Sequence, residues 1–190
     1  MSIPPSAYRT FIAYVEDLPG VLNRITSLLR RRSYNIVSLT VGRTERPGTS
    51  RMTIVVEADA DAARRIEANL YKLVNVLWVE DTTSAATVVR ELALVKVRTD
   101  PATRAEVMKL CEVFRARVVD VGPGALVAEI TGAADKIDGL VDVLRPFGVL
   151  EMVRTGAVAM VRSAEAADAG RVRPPTPEHG DDDDDDVRAA

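Results

Sequence analysis

The sequence contains a single cysteine, Cys111, and a single histidine, His179. One thiol excludes an intramolecular disulfide and any cysteine-built zinc site. The lone histidine stands in a Pro/Asp-rich C-terminal stretch. Every mechanism built on a positioned imidazole is thereby removed from the rest of the chain, Ser–His–Asp, Cys–His and histidine–metal sites included. Aromatic residues make up only 4%, and no basic stripe carries stacking rings, so nucleic acid is not expected as a partner. Neither a P-loop nor a GxGxxG stretch occurs. No run of 18 apolar residues is present, so no membrane span is expected. The first ten residues lack the apolar centre of a signal peptide, and with no disulfide this reads as a cytoplasmic protein. An enzyme is the less favoured reading.

What is present is enough apolar material for a packed core: 47% of 190 residues, which suggests one or two domains. The formal net charge of −3 is unevenly placed. Residues 1–164 hold 22 bases and 19 acids, whereas 165–190 hold three bases and nine acids, six of them the run Asp181 to Asp186. The stretch 164–190 has three prolines and few large apolar groups. It cannot bury enough surface to offset the entropy of ordering, and a disordered acidic tail is expected. Six aspartates could attract Ca²⁺ weakly, but a solvated tail is the favoured reading.

Along the body, hydrophobic period separates the elements. Tyr8 to Val15 reads as a strand, ended by the turn signal Glu16-Asp17-Leu18-Pro19-Gly20. Val21, Leu22, Ile25, Leu28 and Leu29 then recur at helical spacing, and Arg30-Arg31-Arg32 suits the negative end of a helix dipole. Asn35 to Val41 and Arg51 to Glu57 read as a hairpin across Glu45-Arg46-Pro47-Gly48. Asp61 to Tyr71 is an amphipathic helix, and Val76 to Asp81 a short strand.

The same order returns. Glu91 to Arg98 is a strand, and Asp100-Pro101 marks a helix with an Asp N-cap and Pro at its first position, running to Phe114. Ala116 to Val121 and Ala125 to Ile130 pair across Gly122-Pro123-Gly124. Ala133 to Arg145 is a helix stopped by Pro146 and Gly148, and Val149 to Val153, with Ala157 to Val161 as a possible addition, supplies the last strand. The fold class is α+β: two tandem ferredoxin-like βαββαβ domains, 8–83 and 90–162, followed by the tail 164–190.

Chemistry concentrates at Val15 to Leu22. A helix start exposes unpaired N–H groups and partial positive charge, which suits a carboxylate. Gly20 admits a ligand close to the backbone, and Asp17 can accept from an ammonium group. Capping by Asp17 and turning by Gly20 is the plainer alternative. Asn35 offers a donor and an acceptor near the second strand, where a neighbouring subunit would approach if two sheets paired edge to edge. A helix-ending asparagine in the left-handed conformation is equally compatible with it. Trp78 and Phe114 read as core or interface residues, Cys111 as inert packing and Lys72 as a solvated or interface charge.

Val15 to Leu22, Ser33-Tyr34-Asn35-Ile36, Ser38 to Val41 and Ser50 to Ile54 resemble the regulatory (small) subunit of acetolactate synthase, or acetohydroxyacid synthase. So do Leu70 to Val76, Arg90 to Val97 and the stretch from Ile137-Asp138 to Gly156. The resemblance implies an N-terminal ACT domain, a related second domain and a non-catalytic chain that forms a homodimer and binds the catalytic large subunit. Thiamine diphosphate, Mg²⁺ and FAD are implied on that large subunit and none on this chain. The holoenzyme would condense two pyruvates, or pyruvate with 2-oxobutyrate, at the entry to branched-chain amino-acid synthesis. The small subunit would raise activity and transmit feedback inhibition by valine. Carried over by position, the effector site comprises Asp17, Gly20, Val21 and Leu22, with Asn35 and Ile36 from a second copy and Val41 and Gly42 near the side-chain pocket. Three positions depart from the family's common pattern: Asp17 for Asn, Ser33 for Gly and Arg43 for Pro. The alternative function is a free-standing amino-acid sensor without a catalytic partner.

Overall fold

A computed structural model describes residues 7–163. The element order is β1 (Ala7–Glu16), α1 (Val21–Arg31), β2 (Ile36–Arg43), β3 (Thr49–Ala58), α2 (Ala60–Leu70) and β4 (Val76–Asp81). The second half continues with β5 (Thr87–Arg98), α3 (Arg104–Val113), β6 (Arg117–Val121), β7 (Ala125–Gly132), α4 (Ala134–Leu144), β8 (Val149–Arg154) and β9 (Val158–Val161). The acidic stretch expected to be disordered, 164–190, lies outside the described residues.

Both halves build an antiparallel sheet with two helices on one face, in strand orders β2-β3-β1-β4 and β6-β7-β5-β8. Period two along the central strands selects the buried set. In the first half, Phe11, Ala13 and Val15 of β1 and Met52, Ile54 and Val56 of β3 face Ile25 and Leu29 of α1 and Ile66 and Leu70 of α2. In the second, Ala93, Val95 and Val97 face Val107, Cys111, Ile137, Leu140 and Leu144.

Helix ends repeat as well. Tyr34 N–H donates to the Leu29 carbonyl at 3.1 Å and Ser33 N–H to Arg30 at 2.9 Å, the paired bonds of a Schellman closure. At the end of α3, Ala116 N–H reaches Cys111 at 2.8 Å and Arg115 N–H reaches Glu112 at 2.9 Å. The residues that must turn left-handed are Ser33 (φ +58°) and Arg115 (φ +55°), neither of them glycine.

Three expectations from sequence need correction. Asp100 does not cap α3, which starts at Arg104 after Thr103. Its carboxylate instead holds the turn before the helix, accepting from Thr103 N–H (2.8 Å), Thr103 Oγ1–H (2.8 Å) and Ala102 N–H (2.9 Å). Those bonds, Thr103's above all, keep its carboxyl below the usual range. Second, β5 begins at Thr87, four residues ahead of the expected Glu91, because its leading residues find a partner of their own. Third, that partner is β9. β8 supplies the fourth strand of the second sheet, while Val158–Val161 pairs with Thr87–Arg90 as a separate ribbon.

The ribbon joins the halves. Ile12, Thr53 and Val55 are buried on the face of the first sheet away from its helices. Ala157 N–H donates to Ser38 Oγ and Thr40 Oγ1–H donates to the Ala157 carbonyl, each at 2.9 Å. Arg51 donates to the Ala159 carbonyl. The register sets Ser38, Thr40 and Arg51 on that same face.

Candidate effector site

The loop from Glu16 to Gly20 is held from two sides. Asp17 N–H donates to the Gly48 carbonyl at 2.8 Å, tying it to the β2–β3 hairpin. Glu16 N–H donates to the Asn75 carbonyl at 3.0 Å, Asn75 Nδ2 to Glu16 Oε2 at 2.5 Å and Arg24 Nη1 to Asn75 Oδ1 at 2.6 Å. Asn75 is a buttress that sequence reasoning missed as a site residue; it lies 59 positions from Glu16, and no local pattern joins the two.

Gly20 opens α1 with φ +87°. A Cβ there would meet nothing within 4 Å, so backbone conformation rather than lack of space favours glycine. Among the described residues no side chain caps α1, and its first turn carries no acid. Val21 N–H donates to the Leu18 carbonyl at 3.4 Å, and the N–H groups that follow it in the first turn keep their partial positive charge without a side-chain cap among the described residues. Val21 points into the core, whereas Leu22 remains 43% exposed and Leu18 56% exposed.

Asp17 does not cap the helix. Its Oδ1 accepts from Ser50 Oγ at 3.1 Å, and its Oδ2 lies 3.3 Å from Arg43 Nε. Two of the three residues that depart from the family's pattern are thus each other's partner. Opposite charge at 17 and 43 was visible in the sequence, but the register that joins them was not. Gly42 precedes Arg43 opposite Arg51, and Val41 shares the helix-bearing face of β2 with Leu39, 42% exposed.

Asn35 is exposed just ahead of β2, and its carbonyl accepts from Glu57 N–H at 3.4 Å. The left-handed residue after α1 is Ser33, so Asn35 does not end the helix in that conformation. Ile36 packs against the first core. β2 runs between these residues and Arg43, so the two ends are about 26 Å apart at ~3.3 Å per residue. One chain therefore gathers Asp17, Gly20, Val21 and Leu22, with Gly42 and Arg43 beside Asp17. It leaves Asn35 and Ile36 at the far end. Among the described residues β2 has one neighbour, β3, and none of them pairs with the backbone groups of its other edge.

Residues 11–78 match the AHAS small subunit-like ACT domain, and residues 90–163 match the family described as the small subunit of acetolactate synthase. The chain belongs to the acetolactate synthase small-subunit family. A probable acetolactate synthase small subunit of Archaeoglobus fulgidus is 46% identical over 153 residues, covering 80% of this chain and 96% of that protein. The acetolactate synthase small subunit of Bacillus subtilis is 45% identical over 152 residues, covering 80% of this chain and 88% of the relative. The crystal structure of the small subunit from Thermotoga maritima superposes with a TM-score of 0.77 at 38% identity, covering 82% of this chain and 98% of that one. Both halves are thereby placed as ACT-type domains of the small-subunit family.

The remaining singled-out residues carry no site. Trp78 stacks at a tilt on Tyr14, ring centroids 5.7 Å apart, and Phe114 packs against the second core. Cys111 is 1% exposed and burial pushes its thiol up, which disfavours the reactive thiolate. Lys72 is exposed. Among the described residues no group of three or more His, Cys, Asp or Glu could hold a metal ion. No helix among them is long and apolar enough to cross a membrane.

Proposed function

We propose that this chain is the non-catalytic regulatory subunit of acetolactate synthase, that it binds the catalytic large subunit, and that it confers feedback inhibition by valine. The observation that carries the reading is the single-sided β2 edge combined with the uncapped start of α1. Two copies of β2 paired antiparallel about a two-fold axis would bring Asn35 and Ile36 of one copy to the Gly42 end of the other. That seam unites the two groups of residues that a single chain keeps apart, and it makes the effector site a property of the homodimer.

In this reading the backbone at Gly20, Val21 and Leu22 attracts the effector's carboxylate, and Leu22 and Val41 give its side chain an apolar seat. Thiamine diphosphate, Mg²⁺ and FAD belong to the large subunit, which performs the chemistry and is activated by this chain. Valine shifts the balance between arrangements of the seam only by its differential affinity for them, typically worth about 1–3 kcal/mol. Leucine and isoleucine should be discriminated modestly, since one methylene is worth only about 1–3 kcal/mol in an apolar pocket.

The test is co-purification: the tagged full chain, mixed with the large subunit, should retain it on affinity resin and raise its acetolactate-forming rate. A chain that neither retains nor activates the large subunit refutes the reading.

A further inference from the structure

Two segments cross between the halves. β5 passes from the ribbon into the second sheet at Glu91, and residues 154–157 return from β8 to β9. The returning segment is bonded on both sides. Toward the second half, Arg154 stands opposite Ala93, donates to the Asp138 carboxylate on α4 and lies 3.7 Å from Glu91 Oε2. Thr155 N–H donates to the Leu92 carbonyl at 3.0 Å, and Leu92 N–H to Thr155 Oγ1 at 3.1 Å. Toward the first half, both backbone groups of Ala157 are taken by β2, through Ser38 and Thr40. Gly156 lies between, with Ser38 Oγ standing where a Cβ would be. Four consecutive residues thus join β2 to α4 by short, directed bonds and close packing, with no slack in the chain to absorb a displacement.

β2 is the strand best placed to be displaced. Every residue of it is exposed or half-buried, whereas eight of the ten in β3 are buried. A strand with one neighbour and no fully buried side chain is the least firmly held part of its sheet. We propose that residues 154–157 are the link through which the effector seam acts on the second half, with Ser38 and Thr40 as its positioning residues. A shift of β2 at the seam moves Ala157 and, through Arg154, moves α4 against the second sheet. This rests on the effector reading above and deepens it by naming the route of regulation; it does not depend on where along the seam the effector sits. Ser38 and Thr40 face the ribbon, so their hydroxyls serve transmission and leave effector binding to other groups.

The test separates binding from inhibition in the wild type, the double variant Ser38→Ala/Thr40→Ala and Thr40→Ser. Calorimetric titration of the full chain with valine reads binding. The acetolactate-forming rate of the large subunit with each chain, at saturating valine, reads inhibition. The double variant should stimulate the large subunit as the wild type does and bind valine within about twofold of the wild-type Kd. The fraction of the stimulated rate that valine removes should nonetheless fall by about twofold or more. Thr40→Ser keeps the hydroxyl and should be inhibited like the wild type. A double variant inhibited to the wild-type extent overturns the proposal, and so does a Thr40→Ser chain that behaves like the double variant. Loss of valine binding or of stimulation in the double variant overturns it as well, because the hydroxyls would then build the site or the assembly. Those results leave the effector reading standing. Absence of heat with millimolar valine, leucine or isoleucine in the wild type brings down the effector reading and this proposal with it.

Discussion

Ser33 and Arg115 each close a helix in a backbone conformation that L-residues with a Cβ adopt at a cost of about 1 kcal/mol. Replacing either by glycine removes that cost and adds back part of it as chain entropy. Ser33→Gly and Arg115→Gly should each gain about 0.5–1 kcal/mol, seen as a rise in Tm of roughly 1–4 °C. A loss of stability would contradict the cap geometry. Glu67 on α2 gives a pH-dependent counterpart. Burial first, then the nearby charges of Asp81 and Glu80, raise its carboxyl above the ordinary value. A raised acid favours the folded state in its protonated form. Its contribution is complete below the unfolded value of about 4.3 and is lost as pH rises through the folded value. Glu67→Gln should therefore raise Tm at pH 7 and lose that advantage below about pH 4. An equal gain at both pH values would assign the effect elsewhere. At this scale the sequence shows candidates but not partners. The Pro19-Gly20 helix start was legible because its signal is local. The Asp17–Arg43 and Asn75–Glu16 contacts were not, because each depends on strand register.

At the scale of elements, β2 holds two roles on two faces and one edge. Its free edge carries the proposed dimer seam, while Ser38 and Thr40 clamp the chain at Ala157. Gly156 stands at the centre of that clamp, with φ +85° and a Cβ position that runs into Ser38 Oγ. Gly156→Ala should cost about 2–3 kcal/mol through backbone conformation and crowding. Ser38→Ala in the same chain should return part of it, since the obstructing hydroxyl is gone; chemical denaturation of the two single variants and the double variant measures the coupling. Strict additivity would contradict the clamp. The β5–β9 ribbon explains why the sequence misplaced this region. Val158 to Val161 read as extended while Thr87 to Arg90 fall ahead of the expected strand at Glu91, and alternation alone does not say which strands pair.

As a whole molecule the chain is one supersecondary plan used twice, with two separate cores and matching Schellman closures. The plan was legible because helical and strand periods alternate in the same order in both halves, and each core is filled by the residues that the period selects. Its assembly was not legible from periodicity, since an edge strand looks like any other until its neighbours are known. The scarcity of cysteine and histidine takes its place here. A chain that, as proposed, shapes a seam between copies and leaves chemistry to a catalytic partner would have no need of either. The central claim is tested most directly by the acetolactate-forming rate of the purified large subunit, measured alone, with this chain added, and with this chain plus millimolar valine. The account predicts that the chain raises the rate and that valine lowers the raised rate while leaving the large subunit alone unaffected. A rate that ignores the chain, or a stimulated rate that ignores valine, leucine and isoleucine alike, would contradict it.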